Sequence, residues 1–394
     1  MDSSPLRAHW SLDPEVTFLN HGSFGACPTR VLEEQSRLRA RLEANPVRFL
    51  HRELPALADA ARGALGDFLD ANPDDLAFVN NATTGVNTVL RSLRFAPGDE
   101  LLTTDHEYNA SRNVLDFVAQ QWGVTVVVAR LPWPLPSPQA VVDAVLAHVT
   151  ERTRLLLIDH VTSQTAMVLP VASLVRTLKA RGVETLVDGA HGPGQVPVSL
   201  RELGAAYYTG NCHKWMCAPK GAAFLYVRRD LQAGIRPLVI SHGYNSRRED
   251  RSRFRLDFDW MGTDDPTPAL CIPSALETVG GLLPGGWSEV MERNRAQALA
   301  ARTLLHQKLG GAPRCPEEMV GSMATIALPN GFPEEPSVLG LDPLQERLFD
   351  EHRIEVQITP WPRAPQRHVR VSAQLYNSHA EYQRLAEALV TLLR

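Results

Sequence analysis

YYTGNCHKWMCAPKGAAFLYV, residues 207–227, is the stretch on which fold and chemistry both turn. Its apolar start stops at Thr209-Gly210 and a second strand begins at Ala222, leaving a turn of small and polar residues centred on His213 and Lys214. A lysine boxed in by Cys212, Trp215 and Met216 is partly desolvated. Desolvation lowers the pKa of an ammonium toward the range where the free amine attacks a carbonyl. A loop lysine facing water is the plain alternative. The chain holds four lysines against thirty-six arginines. Lys179 and Lys308 fall in helical patterns and Lys220 follows Pro219, so an imine, if one is made, belongs to Lys214.

Outward from this turn, strand and helix patterns alternate. A short strand at 75–79 passes through Asn-Ala-Thr-Thr-Gly into an apolar-periodic helix. That junction aims backbone N–H groups and hydroxyls at a helix N-terminus, which suits an anion; Thr83 or Thr84 acting as a simple cap is the alternative. Further strands are expected at 100–103, 124–129, 154–159 and 184–187, with helices at 29–43, 55–69, 110–122, 138–148 and 171–181. Strands separated by helices of about 10–15 residues pair in parallel through right-handed crossovers. The expected fold is therefore α/β, a large domain whose central sheet is mainly parallel. After Val227, helices at 287–309, 343–352 and 379–393 and strands at 322–328, 354–358 and 368–372 predict a smaller α+β C-terminal domain. The expected division is an N-terminal segment, 1–28, contributing to the active site and the small domain, then domains at 29–275 and 276–394.

Composition sets the outer limits. At 394 residues, with 44% hydrophobic and 21% charged content, the chain suits two globular domains. A net charge of -4 argues against a nucleic-acid surface, and the run 247–255, where arginines alternate with acids, reads as a solvated loop. No apolar run approaches the roughly 20 residues of a membrane helix, and residues 1–14 lack the apolar core of a signal peptide. Five cysteines without CxxC spacing suggest neither a disulfide framework nor a zinc ribbon. A cytoplasmic protein is the expectation.

Functional groups in open α/β sheets gather beyond the carboxyl ends of the strands. Here those ends carry Thr83, Tyr108, His160, Asp188, His191 and Lys214. An anion cradle, an imine-capable lysine, a buried carboxylate and an aromatic ring together suit a phosphorylated pyridine aldehyde. Beside a ring nitrogen, a carboxylate favours the protonated form, which makes the ring an electron sink.

The segments LNHGSFG, NATTGVN, DHEYNA, VDGAH, GNCHKW, GTDDP and VRVSAQLYN span nearly the whole chain. Together they resemble the class V aminotransferase family of fold type I pyridoxal phosphate enzymes, in particular its isopenicillin N epimerase-like branch. DGAH followed about two dozen residues later by HK is the more specific part. The resemblance implies that Lys214 holds pyridoxal 5'-phosphate as an imine and moves protons at the substrate α-carbon. It implies that Asp188 pairs with the ring nitrogen and that His191 approaches the ring hydroxyl oxygen. Ala82, Thr83, Asn211 and His213 would hold the phosphate, and Thr263 would reach the phosphate of a neighbouring subunit in a homodimer with shared active sites. Tyr108 would stack on the ring, with His106 as the second choice, and Ser163 would lie close to it. Arg370 would grip the carboxylate of a small amino acid substrate, with Asn20 and His21 lining the pocket.

One departure narrows the reaction. Cysteine desulfurases of this class carry a cysteine shortly before the carboxylate arginine, and residues 359–367, TPWPRAPQR, contain none. Epimerisation is the leading expectation, with carbon-sulfur β-elimination nearly level and transamination behind them. A metal hydrolase using Asp105, His106, Asp159, His160, Asp188 and His191, and a cofactor-binding regulator, are the remaining alternatives.

Overall fold

The computed structural model describes residues 4–331 and 341–394. Seven strands build the main sheet: β2 (Leu76–Val79), β3 (Glu100–Thr104), β4 (Thr125–Ala129), β5 (Thr153–Asp159), β6 (Glu184–Gly189), β7 (Tyr207–Asn211) and β8 (Ala223–Val227). A two-residue strand, β1 (Thr17–Phe18), precedes them. Their order is β2-β8-β7-β6-β5-β3-β4. β3 to β7 run parallel, and β8 is antiparallel to both of its neighbours. β2 therefore points the same way as β7, and six strands deliver their carboxyl ends to one edge. The mainly parallel α/β fold expected from the alternation is the fold observed.

Period-two side-chain alternation explains why these strands read as unbroken apolar runs. Leu155, Leu157, Leu186, Ala223 and Leu225 enter a core on one face of the sheet. Leu156, Ile158, Val187, Phe224 and Tyr226 enter a core on the other. Helices such as Ala82–Ser92 and Val171–Lys179 cover the two faces.

The C-terminal part has its own sheet, order β11-β12-β9, from β9 (Met323–Leu328), β11 (Gln357–Pro360) and β12 (Arg367–Ser372). Its core is closed by the helices Gly286–Leu309 and His379–Leu392, through Ala298, Leu305, Leu385 and Leu389 packed on Ile326, Val369 and Val371.

Three expectations are corrected. The single strand at 354–358 is two: β10 (Ile354–Glu355) pairs in parallel with β1, and β11 turns away to pair antiparallel with β12. The stretch that follows Phe18, LNHGSFGACP, is rich in glycine and short on periodicity and so reads from sequence as a loop; it is not all loop, since His21–Phe24 makes one helical turn. The run 247–255 is only partly solvated. Arg251 and Arg255 pair with Asp59 and Asp259, and Arg62, 2% exposed, joins the same two carboxylates. Alternating charge there marks an ion network that pins the helix Arg253–Phe258 to Leu54–Leu69.

Candidate active site

Lys214 lies in the turn between β7 and β8. Trp215, Met216, Cys212 and Cys217 around it are fully buried. Its own side chain keeps partial access to the cleft. Burial, helped by the positive charge of Arg370, lowers its pKa to about 7 against the pull of Asp188 and Asp159. Nζ lies 3.1 Å from Nε2 of His191, whose Nδ1 accepts from the Trp215 indole N–H at 3.3 Å. Burial together with the neighbouring cations Lys214 and Arg370 holds His191 well below the ordinary imidazole range.

Asp188 ends β6 beside them. It accepts from Ser111 Oγ and from the Ala190 amide, each at 3.0 Å. Behind it lie Glu107 and Asp159, the three carboxyl groups presenting oxygens within 4.8 Å of one another, all buried. Burial raises the pKa of all three, and their mutual repulsion raises Glu107 and Asp159 further. Glu107 still accepts from Thr103 at 2.6 Å, whereas Asp159 Oδ2 has no partner among the described residues.

The N-terminus of Ala82–Ser92 faces the same sheet edge. Asn81 caps it by accepting from the Thr84 amide at 2.8 Å, and the Asn211 carboxamide accepts from the Ala82 amide at 2.8 Å. Thr83 is partly exposed, and its hydroxyl has no partner among the described residues. His213 donates through Nδ1 to Ala222 O at 2.9 Å, and burial lowers its pKa to about 4.

Arg370, 1% exposed, comes from β12 of the smaller sheet. It donates to Ser163 O at 2.7 Å, to Ser23 Oγ at 3.0 Å and to Gln357 Oε1, with Asn20 Oδ1 at 3.5 Å. Its Nε is buried with no partner among the described residues. Burial lowers its pKa to about 10, and Tyr108, 42% exposed at the start of Asn109–Trp122, lies near enough to raise it in return.

Asp188, His191, Lys214, Arg370, Ser163, Asn20 and Tyr108 are thus brought around one cleft. Others lie elsewhere. His21 is buried: Nδ1 meets Tyr376 Oη at 2.8 Å and Nε2 meets Lys214 O at 3.0 Å, so it supports the lysine's backbone and does not line an open pocket. His106 is buried, bonds Thr165 at 2.8 Å and packs against Trp361 at 4.3 Å between ring centres. Thr263, expected to serve a neighbouring subunit, sits in an exposed bend.

Ser111, Ser23 and Gln357 hold the functional groups in place and were not singled out from sequence; Trp215 was named there only as a wall around Lys214, not as the partner of His191. Gln357 faces Arg370 only through the β11–β12 register, which no local pattern reveals. A metal-hydrolase centre does not assemble. His106, His160 and His191 bond Thr165, Tyr208 and Trp215. Among the described residues, the group whose ligand atoms lie close enough to share an ion is Glu107, Asp159 and Asp188, and none of the three histidines belongs to it.

The residues present fit pyridoxal phosphate. A free hydroxyl at a helix N-terminus suits the phosphate, an amine of lowered pKa suits the aldehyde, and a buried carboxyl held by two donors suits the ring nitrogen.

A family profile described as Aminotransferase class-V matches residues 19–256. The isopenicillin N epimerase of Amycolatopsis lactamdurans is 40% identical over 400 residues, 98% of this chain and 97% of that protein. A probable L-cysteine desulfhydrase, chloroplastic, of Arabidopsis thaliana is 32% identical over 423 residues, 100% of this chain and 86% of that one. Among solved structures, a mutant of C-DES with glycine covalently linked to its PLP cofactor superposes with a TM-score of 0.81. At 22% identity, over 98% of this chain and 99% of that one, it establishes the shared fold.

Proposed function

The chain belongs to the class-V aminotransferase family, and from that premise we propose a pyridoxal phosphate-dependent enzyme that breaks the Cβ–S bond of a cysteine-type amino acid. The observation that carries this reading is the single amine of lowered pKa in the cleft. The titratable rings around it, His21, His191 and His213, are engaged with Tyr376, Trp215 and Ala222. Elimination needs one base on one face of the α-carbon, whereas epimerisation needs a second acid on the opposite face.

In this reading Arg370 holds the substrate carboxylate, with Asn20 and Ser163 fixing the guanidinium plane. Thr83, with Ala82, Asn211 and His213 around it, holds the phosphate, while Tyr108 covers the ring. When bound, the cofactor supplies an electron sink for the carbanion. Asp188 would face the ring nitrogen, and His191 would donate to the ring oxygen. Lys214 takes the α-proton. With the cofactor bound, the pair left at Cα would form a Cα–Cβ double bond as the Cβ–S pair departs with sulfide or thiol, and hydrolysis of the released enamine would give pyruvate and ammonia.

Sulfur is released, not carried on the protein. Cys27 and Cys271 are pushed by burial up to about 12, Cys212 and Cys217 are raised by burial as well, and Cys315 lies in another cavity with Trp133 and Arg314. A thiol at such a pKa is a poor sulfur acceptor. The relative named as a desulfhydrase supports this reading. Epimerisation stands second, supported by the 40% identity to an isopenicillin N epimerase.

The enzyme acts as a homodimer in this account. Leu238, Val239, Ile240 and Tyr244 form an exposed apolar run of the kind that marks an interface, and Thr263 would serve the partner's phosphate. Incubation with L-cysteine, L-cystine or cysteine conjugates in deuterated water decides the reaction. Pyruvate with sulfide or thiol release is expected. Deuterium uptake with inversion and no pyruvate would replace elimination by epimerisation.

A further inference from the structure

We propose that Trp215 is a positioning residue: its indole N–H fixes the proton of His191 on Nε2, and that N–H holds the Lys214 amine as a free base. The inference deepens the reading above and rests on it for its catalytic meaning.

The argument follows from what each group can donate. An indole has one N–H and no acceptor. Its contact at 3.3 Å with His191 Nδ1 is therefore a hydrogen bond only if Nδ1 carries no proton. A neutral imidazole keeps one proton, which must then sit on Nε2. Nε2 lies 3.1 Å from Lys214 Nζ. With the proton on Nε2, the contact bonds only if Nζ presents a lone pair, which an ammonium lacks. Were Lys214 protonated, it would donate to Nε2 while Trp215 donated to Nδ1, and the ring would have to be an imidazolate. The three side chains form a one-way relay, Trp215 to His191 to Lys214, consistent only with a neutral amine.

The indole is not free to leave this role. Trp215 is fully buried, and the His21 ring packs 4.9 Å from its own. Gly194, at φ 83°, lets its backbone approach so closely that a Cβ there would lie 2.6 Å from Trp215 C and 2.7 Å from its O. The charges facing Lys214 come from three strands: Arg370 on β12 favours the neutral amine, while Asp188 on β6 and Asp159 on β5 oppose it. The relay adds a directional bond that only the neutral amine accepts. The same Nε2–H meets any oxygen acceptor that a bound cofactor places there, so one donor serves both partners.

The test is the tautomer. Apoprotein labelled with nitrogen-15 histidine is examined by NMR, and His191→Gln identifies the His191 signals among the thirteen histidines. The expected result is a protonated Nε2 and a bare Nδ1. In Trp215→Phe the proton redistributes toward Nδ1, and uptake of pyridoxal phosphate by the apoprotein slows about tenfold, the worth of roughly one net hydrogen bond. Should Trp215→Phe fail to fold, replacing Trp215 with benzothienylalanine removes the N–H and keeps the ring volume. A wild-type His191 protonated on Nδ1, or an unchanged tautomer in the variant lacking the N–H, would overturn the proposal. Because the tautomer is read without cofactor, failure to take up pyridoxal phosphate would sink the functional reading separately.

Discussion

At pH 7 the Lys214 amine is close to its midpoint, and that has a stability consequence. Its ordinary pKa is 10.5 and its folded value about 7, so between these values the unfolded chain binds the extra proton. Stability contributed by this residue therefore rises with pH across that window, and the full penalty is present below about 7. Lys214→Met removes the penalty. Its apoprotein is expected to be more stable than wild type at pH 7 by roughly 1–4 kcal/mol, with the difference closing as the pH approaches 10. Equal denaturation midpoints at pH 7 would show that the amine is not desolvated. Asp188→Asn keeps the Ser111 and Ala190 neighbours and removes the charge. Its turnover should fall by about 10²–10³-fold while cofactor attachment at Lys214 persists; near-wild-type turnover would remove Asp188 from the chemistry. Lys214, His213 and Asp188 stood out from sequence because each lies in a short local motif at a strand end. Ser111, which bonds Asp188, and Gln357, which bonds Arg370, did not. Their meaning depends on contacts across 77 and 13 positions that only the folded chain brings together.

Among the elements, the N-terminal segment 17–25 does more than its length suggests. β1 joins it to β10, Leu19 O accepts from the Ser372 amide at 2.9 Å, and His21 bonds the Lys214 carbonyl, so one short stretch ties the smaller sheet to the lysine turn. Gly25, at φ 70°, is the contact point: a Cβ there would lie against His213 O and 3.0 Å from Lys214 Cα. Gly25→Ala combines an unfavourable backbone conformation with a clash against main chain. It should destabilise the protein by about 1–3 kcal/mol and reduce cofactor retention on gel filtration; unchanged retention would mean the lysine turn is independent of this segment. The sequence showed a glycine-rich stretch without periodicity and so read it as a loop. A one-turn helix and a two-residue strand are too short to leave a periodic signal. The split of 354–358 into β10 and β11 escaped notice for a related reason, since an apolar run records burial and not which partner covers it.

For the whole molecule, the parallel sheet was legible because its strands are apolar on both faces and separated by helices of regular length. The reversal of β8 was less so, since the hairpin that turns it back is the functional turn itself, whose residues are chosen for chemistry. The exposed apolar run at 238–240 with Tyr244 predicts self-association. Sedimentation equilibrium is expected to give twice the chain mass of 43.5 kDa; a monomer retaining full turnover would contradict shared active sites. The central claim is that one amine, Lys214, tethers a pyridoxal cofactor. Borohydride reduction of the cofactor-loaded protein, followed by peptide mapping by mass spectrometry, tests it most directly. The account predicts a reduced phosphopyridoxyl group on the peptide containing Lys214 and on no other. The same mass on Lys220, or no covalent adduct at all, would contradict it.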